Sequence, residues 1–123
     1  MTTLQAQLWV DHPEEAIRFY EAGFGAHIEH SIGSGDERLA QLTVDGAHFW
    51  VAAADPDLHR ASPASGSPTS RTLLVVDDPD SFVARAAAAG AEVTSPVGDE
   101  HGWRLGRLVD PSGQEWEIGH PQG

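Results

Sequence analysis

Residues 4–26 read LQAQLWVDHPEEAIRFYEAGFGA and residues 71–91 read RTLLVVDDPDSFVARAAAAGA, and the two stretches carry the same signals in the same order. Each begins with β-favouring residues, passes an Asp and a Pro, continues with apolar residues at helical spacing and stops at Gly. Leu4 to Val10 reads as a strand. Pro13 opens a helix without losing a useful donor, Glu14 and Glu15 sit where the helix dipole favours negative charge, and Gly23 and Gly25 close it. In the second copy Thr72 to Val76 is the strand, Asp77-Asp78 caps the helix Pro79 to Ala89, and Gly90 ends it. Val10-Asp11 recurs as Val76-Asp77 and Gly25-Ala26 as Gly90-Ala91, displaced by 66 and 65 positions.

Three further strands follow each helix: Ala26 to Ile32, Arg38 to Val44 and His48 to Ala52, then Glu92 to Val97, Trp103 to Val109 and Glu115 to Ile118. The expected fold class is therefore α+β, with two tandem βαβββ modules in one domain spanning 1–123: module one 1–53, module two 71–120. A module of roughly 50 residues buries too little surface to stand alone, so the two must pack together, within the chain or across a dimer. Residues 54–70, dense in Pro, Ser, Asp and Gly with no apolar period, read as a linker, either a plain connector or a substrate-covering lid.

Composition removes several functions. With 7 Lys+Arg against 19 Asp+Glu, the net charge of −12 leaves no basic stripe, so neither nucleic acid nor an anionic membrane is expected as a partner. The absence of Cys excludes disulfides, thiolate metal sites and cysteine nucleophiles. No run of about 18 apolar residues occurs and Met1 to Val10 lacks a positive start, so a soluble cytoplasmic protein is expected. There is no nucleophile elbow, P-loop or dinucleotide glycine fingerprint.

Strand alternation sorts the side chains further. If Ala6, Leu8, Val10, Phe49, Val51, Thr72, Leu74, Val76, Trp116 and Ile118 face the helices, the opposite faces carry Gln5, Gln7, Trp9, His48, Trp50, Arg71, Glu115 and Glu117. Two indoles left in water would forgo roughly 1.5–3 kcal/mol of burial each, so this set points to a sheltered cavity or to a dimer interface. These eight are the candidate ligand-binding residues.

The chain resembles the vicinal oxygen chelate superfamily, the glyoxalase/bleomycin-resistance/dioxygenase fold. The carriers are Val10-Asp11, Ala16 to Tyr20 and Phe24-Gly25-Ala26, then Val76-Asp77-Asp78 and Ala89-Gly90-Ala91, and above all Gly106 to Ile118 with its Asp110-Pro111-Ser112-Gly113 turn. The resemblance implies paired βαβββ modules forming a U-shaped mixed sheet around a central cavity. It also implies four metal-ligand positions, which fall on Gln5, Trp50, Arg71 and Glu117. An indole cannot coordinate and a guanidinium repels a cation, so the expectation is no metal cofactor. The fallback is a shifted divalent site using Glu117, Gln5 and His48, with Glu115 or His101 nearby. Arg71 and Glu117 are expected to form an ion pair, and Glu117 is the best candidate for a general base.

The functional expectation is a metal-independent small-molecule binding protein of the glyoxalase/bleomycin-resistance type, acting as a homodimer. It would hold an aromatic or apolar ligand between the modules. The alternative is a divalent-metal-dependent lyase, isomerase or dioxygenase.

Overall fold

The structure, a computed structural model, describes residues 1–66 and 70–123; part of the expected linker, 67–69, lies outside the described residues. Module one runs β1 (Ala6–Val10), α1 (Pro13–Phe24), β2 (His27–Ile32), β3 (Leu39–Val44) and β4 (Ala47–Ala53). Module two repeats it as β5 (Thr72–Val75), α2 (Pro79–Ala88), β6 (Glu92–Glu100), β7 (Trp103–Val109) and β8 (Glu115–Pro121). Each forms a four-stranded mixed sheet, ordered β1-β4-β3-β2 and β5-β8-β7-β6, in which only the first strand runs parallel to its neighbour. The two tandem βαβββ modules are thus present. Among the described residues no helix is long and apolar enough to cross a membrane.

The helix signals act as read. Pro13 occupies the first turn of α1, and Gly25 ends it in the left-handed conformation at φ 69°. Asp78 caps α2 by accepting a hydrogen bond from the Ser81 amide. Strand limits differ where tertiary pairing overrides local pattern. The expected end of β6 at Val97 moves to Glu100 because register shifts absorb Pro96, whose nitrogen cannot donate, on an edge strand where that loss is tolerated. Likewise β1 begins at Ala6 rather than Leu4, and Leu4 lies in solvent.

Both helix-covered faces contribute to one core. Tyr20 and Phe24 of α1 meet Phe49 of β4 and Trp116 of β8, with ring centroids 4.9–5.9 Å from Trp116. The helices themselves touch closely: a Cβ added at Gly23 would lie 3.1 Å from Ala89 Cβ, and Arg85 Nε donates to the Ala22 carbonyl at 2.8 Å, satisfying an orphan group at the end of α1.

Within this core lies the Asp110 carboxylate. One oxygen accepts the Tyr20 hydroxyl and, at 2.9 Å, the Trp116 indole N–H; the other accepts the amides of Ser112 and Gln114 at 2.9 and 3.1 Å. Burial pushes its pKa above the ordinary value, with these donors opposing the shift. Burial, then the Asp110 charge, pushes Tyr20 well above its ordinary value of 10.0.

Tyr20→Phe is expected to lower stability by about 1–2 kcal/mol in urea unfolding at neutral pH, since a buried oxygen loses a donor. Tyr20 is the chain's one tyrosine. Its raised pKa means the folded protein keeps a phenol proton that the unfolded chain releases, so stability falls as pH rises above about 10. Tyr20→Phe should show a shallower alkaline decline than the wild type, and an equal slope would refute this assignment.

Candidate functional site

The alternation rule correctly places the candidate set on the sheet faces away from the helices. Leu8, Val10, Phe49, Val51, Trp116 and Ile118 are buried, whereas Gln5, Gln7 and Arg71 are exposed and Trp9, His48, Trp50, Glu115 and Glu117 are half-buried. The structure does not gather all eight into one cavity. Strand alternation specifies a face but not which neighbours close over it.

On the first sheet, Gln7 pairs in register with Trp50, and Trp9 follows one turn of the pleat along β1. With Arg38, Asp55 and Arg60 they line a hollow of about 510 Å³. Trp50 donates its indole N–H to Gln5 Oε1 at 2.9 Å, and Gln41 Nε2 donates to the same oxygen at 3.0 Å. Arg38 is fixed by Glu14 at 3.0 Å and Ser31 at 2.9 Å. Arg60 is placed differently, with its guanidinium carbon 5.0 Å from the Trp9 ring centroid and no carboxylate within 4.0 Å among the described residues.

Arg60 comes from the expected linker, whose residues 54–66 are more ordered than their composition suggests. Backbone bonds join Asp55 and Arg60 in both directions, 3-10 turns occupy Pro56–Leu58 and Pro63–Ser65, and buried Ser62 donates to Asp11 at 2.7 Å. Polar bonds hold this segment, so an absence of apolar period carried no warning. The segment forms part of the hollow's wall.

On the second sheet the expected ion pair is present, with Arg71 Nη2 3.4 Å from Glu117 Oε2. The sequence reading missed a stronger partner. Arg107 Nε donates to the same carboxylate oxygen at 2.9 Å, and Arg107 Nη2 reaches Glu100 at 3.2 Å. Arg107 lies opposite Glu117 in register, between buried Gly106 and Leu108. Extending the alternation rule from β1, β4, β5 and β8 to β7 would have found it. Hydrogen bonds to Glu100, then Glu117, raise the Arg107 pKa, so both partners favour the charged guanidinium. Glu117 is consequently spent on two guanidiniums instead of facing a substrate proton.

The metal positions fare similarly. Gln5 Oε1 already accepts two hydrogen bonds, Trp50 offers no donor atom, and Arg71 shares Glu117 with Arg107. Among the described residues no group of three or more His, Asp or Glu side chains is arranged to hold an ion. The residues present do not fit a divalent site, at either the family positions or the shifted set of Gln5, His48 and Glu117. His48, Gln5 and Arg71 instead line a separate crevice of about 600 Å³ between the modules, which neither Glu115 nor Glu117 lines.

Comparison with known proteins adds a family. A profile described as the Glyoxalase/Bleomycin resistance protein/Dioxygenase superfamily matches residues 3–118. An uncharacterised protein of Mycobacterium bovis is 33% identical over 127 residues, covering 96% of this chain and 82% of the relative. TnmS3, an antibiotic binding protein from Streptomyces sp. CB03234, superposes with a TM-score of 0.74 at 22% identity, over 99% of this chain and 98% of that one. The fosfomycin resistance protein FosX of Listeria monocytogenes, complexed with Mn(II), gives 0.73 at 17%, over 100% and 92%. At these identities the two structures attest to the fold alone.

Glu117→Ala is expected to cost about 1–2 kcal/mol in urea unfolding because it strands Arg71 and leaves Arg107 with Glu100 alone, whereas Arg71→Ala leaves Glu117 with Arg107 and costs under about 1 kcal/mol. The reverse ranking would contradict the shared-carboxylate arrangement.

Proposed function

The chain belongs to the glyoxalase/bleomycin resistance protein/dioxygenase superfamily, and on that premise we propose that it is a binding protein without a resident metal ion. Its guest is an aromatic or apolar small molecule held on the first sheet between Trp9 and Trp50. The observation that carries this reading is the Arg60 guanidinium over Trp9. A flat, weakly hydrated cation occupies the indole face on which a flat guest would stack. Such a guest either displaces Arg60 or lies beside it against Trp50. Asp36, Glu37 and Asp55 around the same hollow favour a cationic substituent on the guest. The antibiotic-binding neighbour is compatible with this class of ligand.

The proposal includes a homodimer. Val75 is 53% exposed on the far face of the second sheet, and a second copy would remove that apolar surface from water. Light scattering should then give about twice the 13.1 kDa chain mass, and a mass of one chain would reject the dimer.

Titration with aromatic antibiotics, bleomycin among them, should change indole fluorescence. Trp9→Ala and Trp50→Ala should each weaken binding about tenfold or more, equivalent to about 1.4 kcal/mol. If protein purified without chelator carries stoichiometric Fe, Mn, Ni or Zn that Glu117→Ala loses, and turns a substrate over, the lyase, isomerase or dioxygenase reading replaces this one.

A further inference from the structure

The crevice between the modules has a chemistry unlike that of the molecule around it. In a chain with 19 acidic residues, its lining contains no Asp or Glu, one Arg and one His. Its volume of about 600 Å³ is within the range of small-molecule sites. The accessible apolar part of the wall includes Leu4, Ala47 and Leu73, while Gln5, His48 and Arg71 supply the polar part.

Each of the three polar groups has hydrogen-bonding capacity that the fold leaves unused. Arg71 has only the longer contact to Glu117, a carboxylate already bonded to Arg107, and its side chain stays 43% exposed. Arg107 takes both Glu117 and Glu100, so Arg71 is the more loosely held guanidinium of the group and keeps N–H donors for another acceptor. Glu115, the nearest acid along β8, makes no ion pair with it among the described residues. Gln5 must present its oxygen to Trp50, because an indole nitrogen only donates, so the Gln5 amide N–H groups remain for another acceptor. His48 Nδ1 is buried without a hydrogen-bond partner, a condition that folded proteins rarely leave uncompensated.

We propose that this crevice is a second binding site, for a small amphipathic monocarboxylate. Its carboxylate is held by Arg71 with Gln5 and His48, and its apolar chain lies against Leu4, Ala47 and Leu73. A carboxylate accepts from each of these donors, and Arg71 offers it a charge-assisted pair. A cation of the same shape meets Arg71 and no acid in the lining. The site is distinct from the aromatic hollow and stands or falls separately from it.

The test uses the full chain, titrated with sodium octanoate, octylamine hydrochloride and 1-octanol, with binding followed by amide and indole chemical shifts. Octanoate should saturate and move the resonances of residues 47–49 and 72–74, leaving the Trp9 indole unmoved. Octylamine and 1-octanol should bind at least tenfold more weakly. Arg71→Met should weaken octanoate at least tenfold, with His48→Phe as a second variant whose weakening reads the same site if Arg71→Met does not fold. Failure of octanoate to saturate, equal binding of octylamine, shifts centred on Trp9 and Arg60, or unchanged affinity in the folded variants would each overturn the proposal.

Discussion

Asp110 belongs to module two but takes hydrogen bonds from both modules: from Tyr20 on α1, and from Trp116, Ser112 and Gln114 around the β7–β8 turn. A carboxylate buried to 3% exposure is expensive to desolvate, and only a nearly complete set of donors offsets that expense. The requirement couples features that are distant in sequence. The turn must be tight enough to aim two amides inward, Trp116 must lie with its nitrogen towards the turn, and α1 must dock so that Tyr20 reaches 90 residues along the chain. Aromatic packing of Phe24 and Phe49 on Trp116 follows from that docking. Each far-side residue is then placed on a sheet whose position relative to its counterpart is set.

The repeat, the helix boundaries and the facing of β1, β4, β5 and β8 were readable in advance because they depend on local geometry: the pleat alternates regardless of context, and Pro, Asp and Gly act within a turn or two. What depends on tertiary closure was not readable. Trp9 and Trp50 share a face with His48 and Arg71 only in the sense of pointing away from the helices, and the molecule assigns the two pairs to different hollows. Arg60 could not be anticipated over Trp9, because its segment is positioned by a hydrogen bond from Ser62 to Asp11 and not by any apolar pattern. The extension of β6 through Pro96 depended on its edge position, which only strand order reveals.

Charge distribution separates structure from recognition. With 19 acids for 7 bases, a guanidinium has many carboxylates to choose from, and Arg38, Arg71, Arg104 and Arg107 all have one within 4.0 Å. Arg107 and Glu117 form the centre of a network that neutralises the second sheet's outer face. Arg18, Arg60 and Arg85 have none among the described residues; Arg85 bonds the Ala22 carbonyl, and Arg60 lies on the Trp9 ring that lines the hollow, which is why its position bears on ligand chemistry.

Gln5 Oε1 stands where the two hollows adjoin: Trp50, which lines one, donates to it, and Gln5 itself lines the other. The indole that lines the first hollow is thus anchored by a side chain that lines the second.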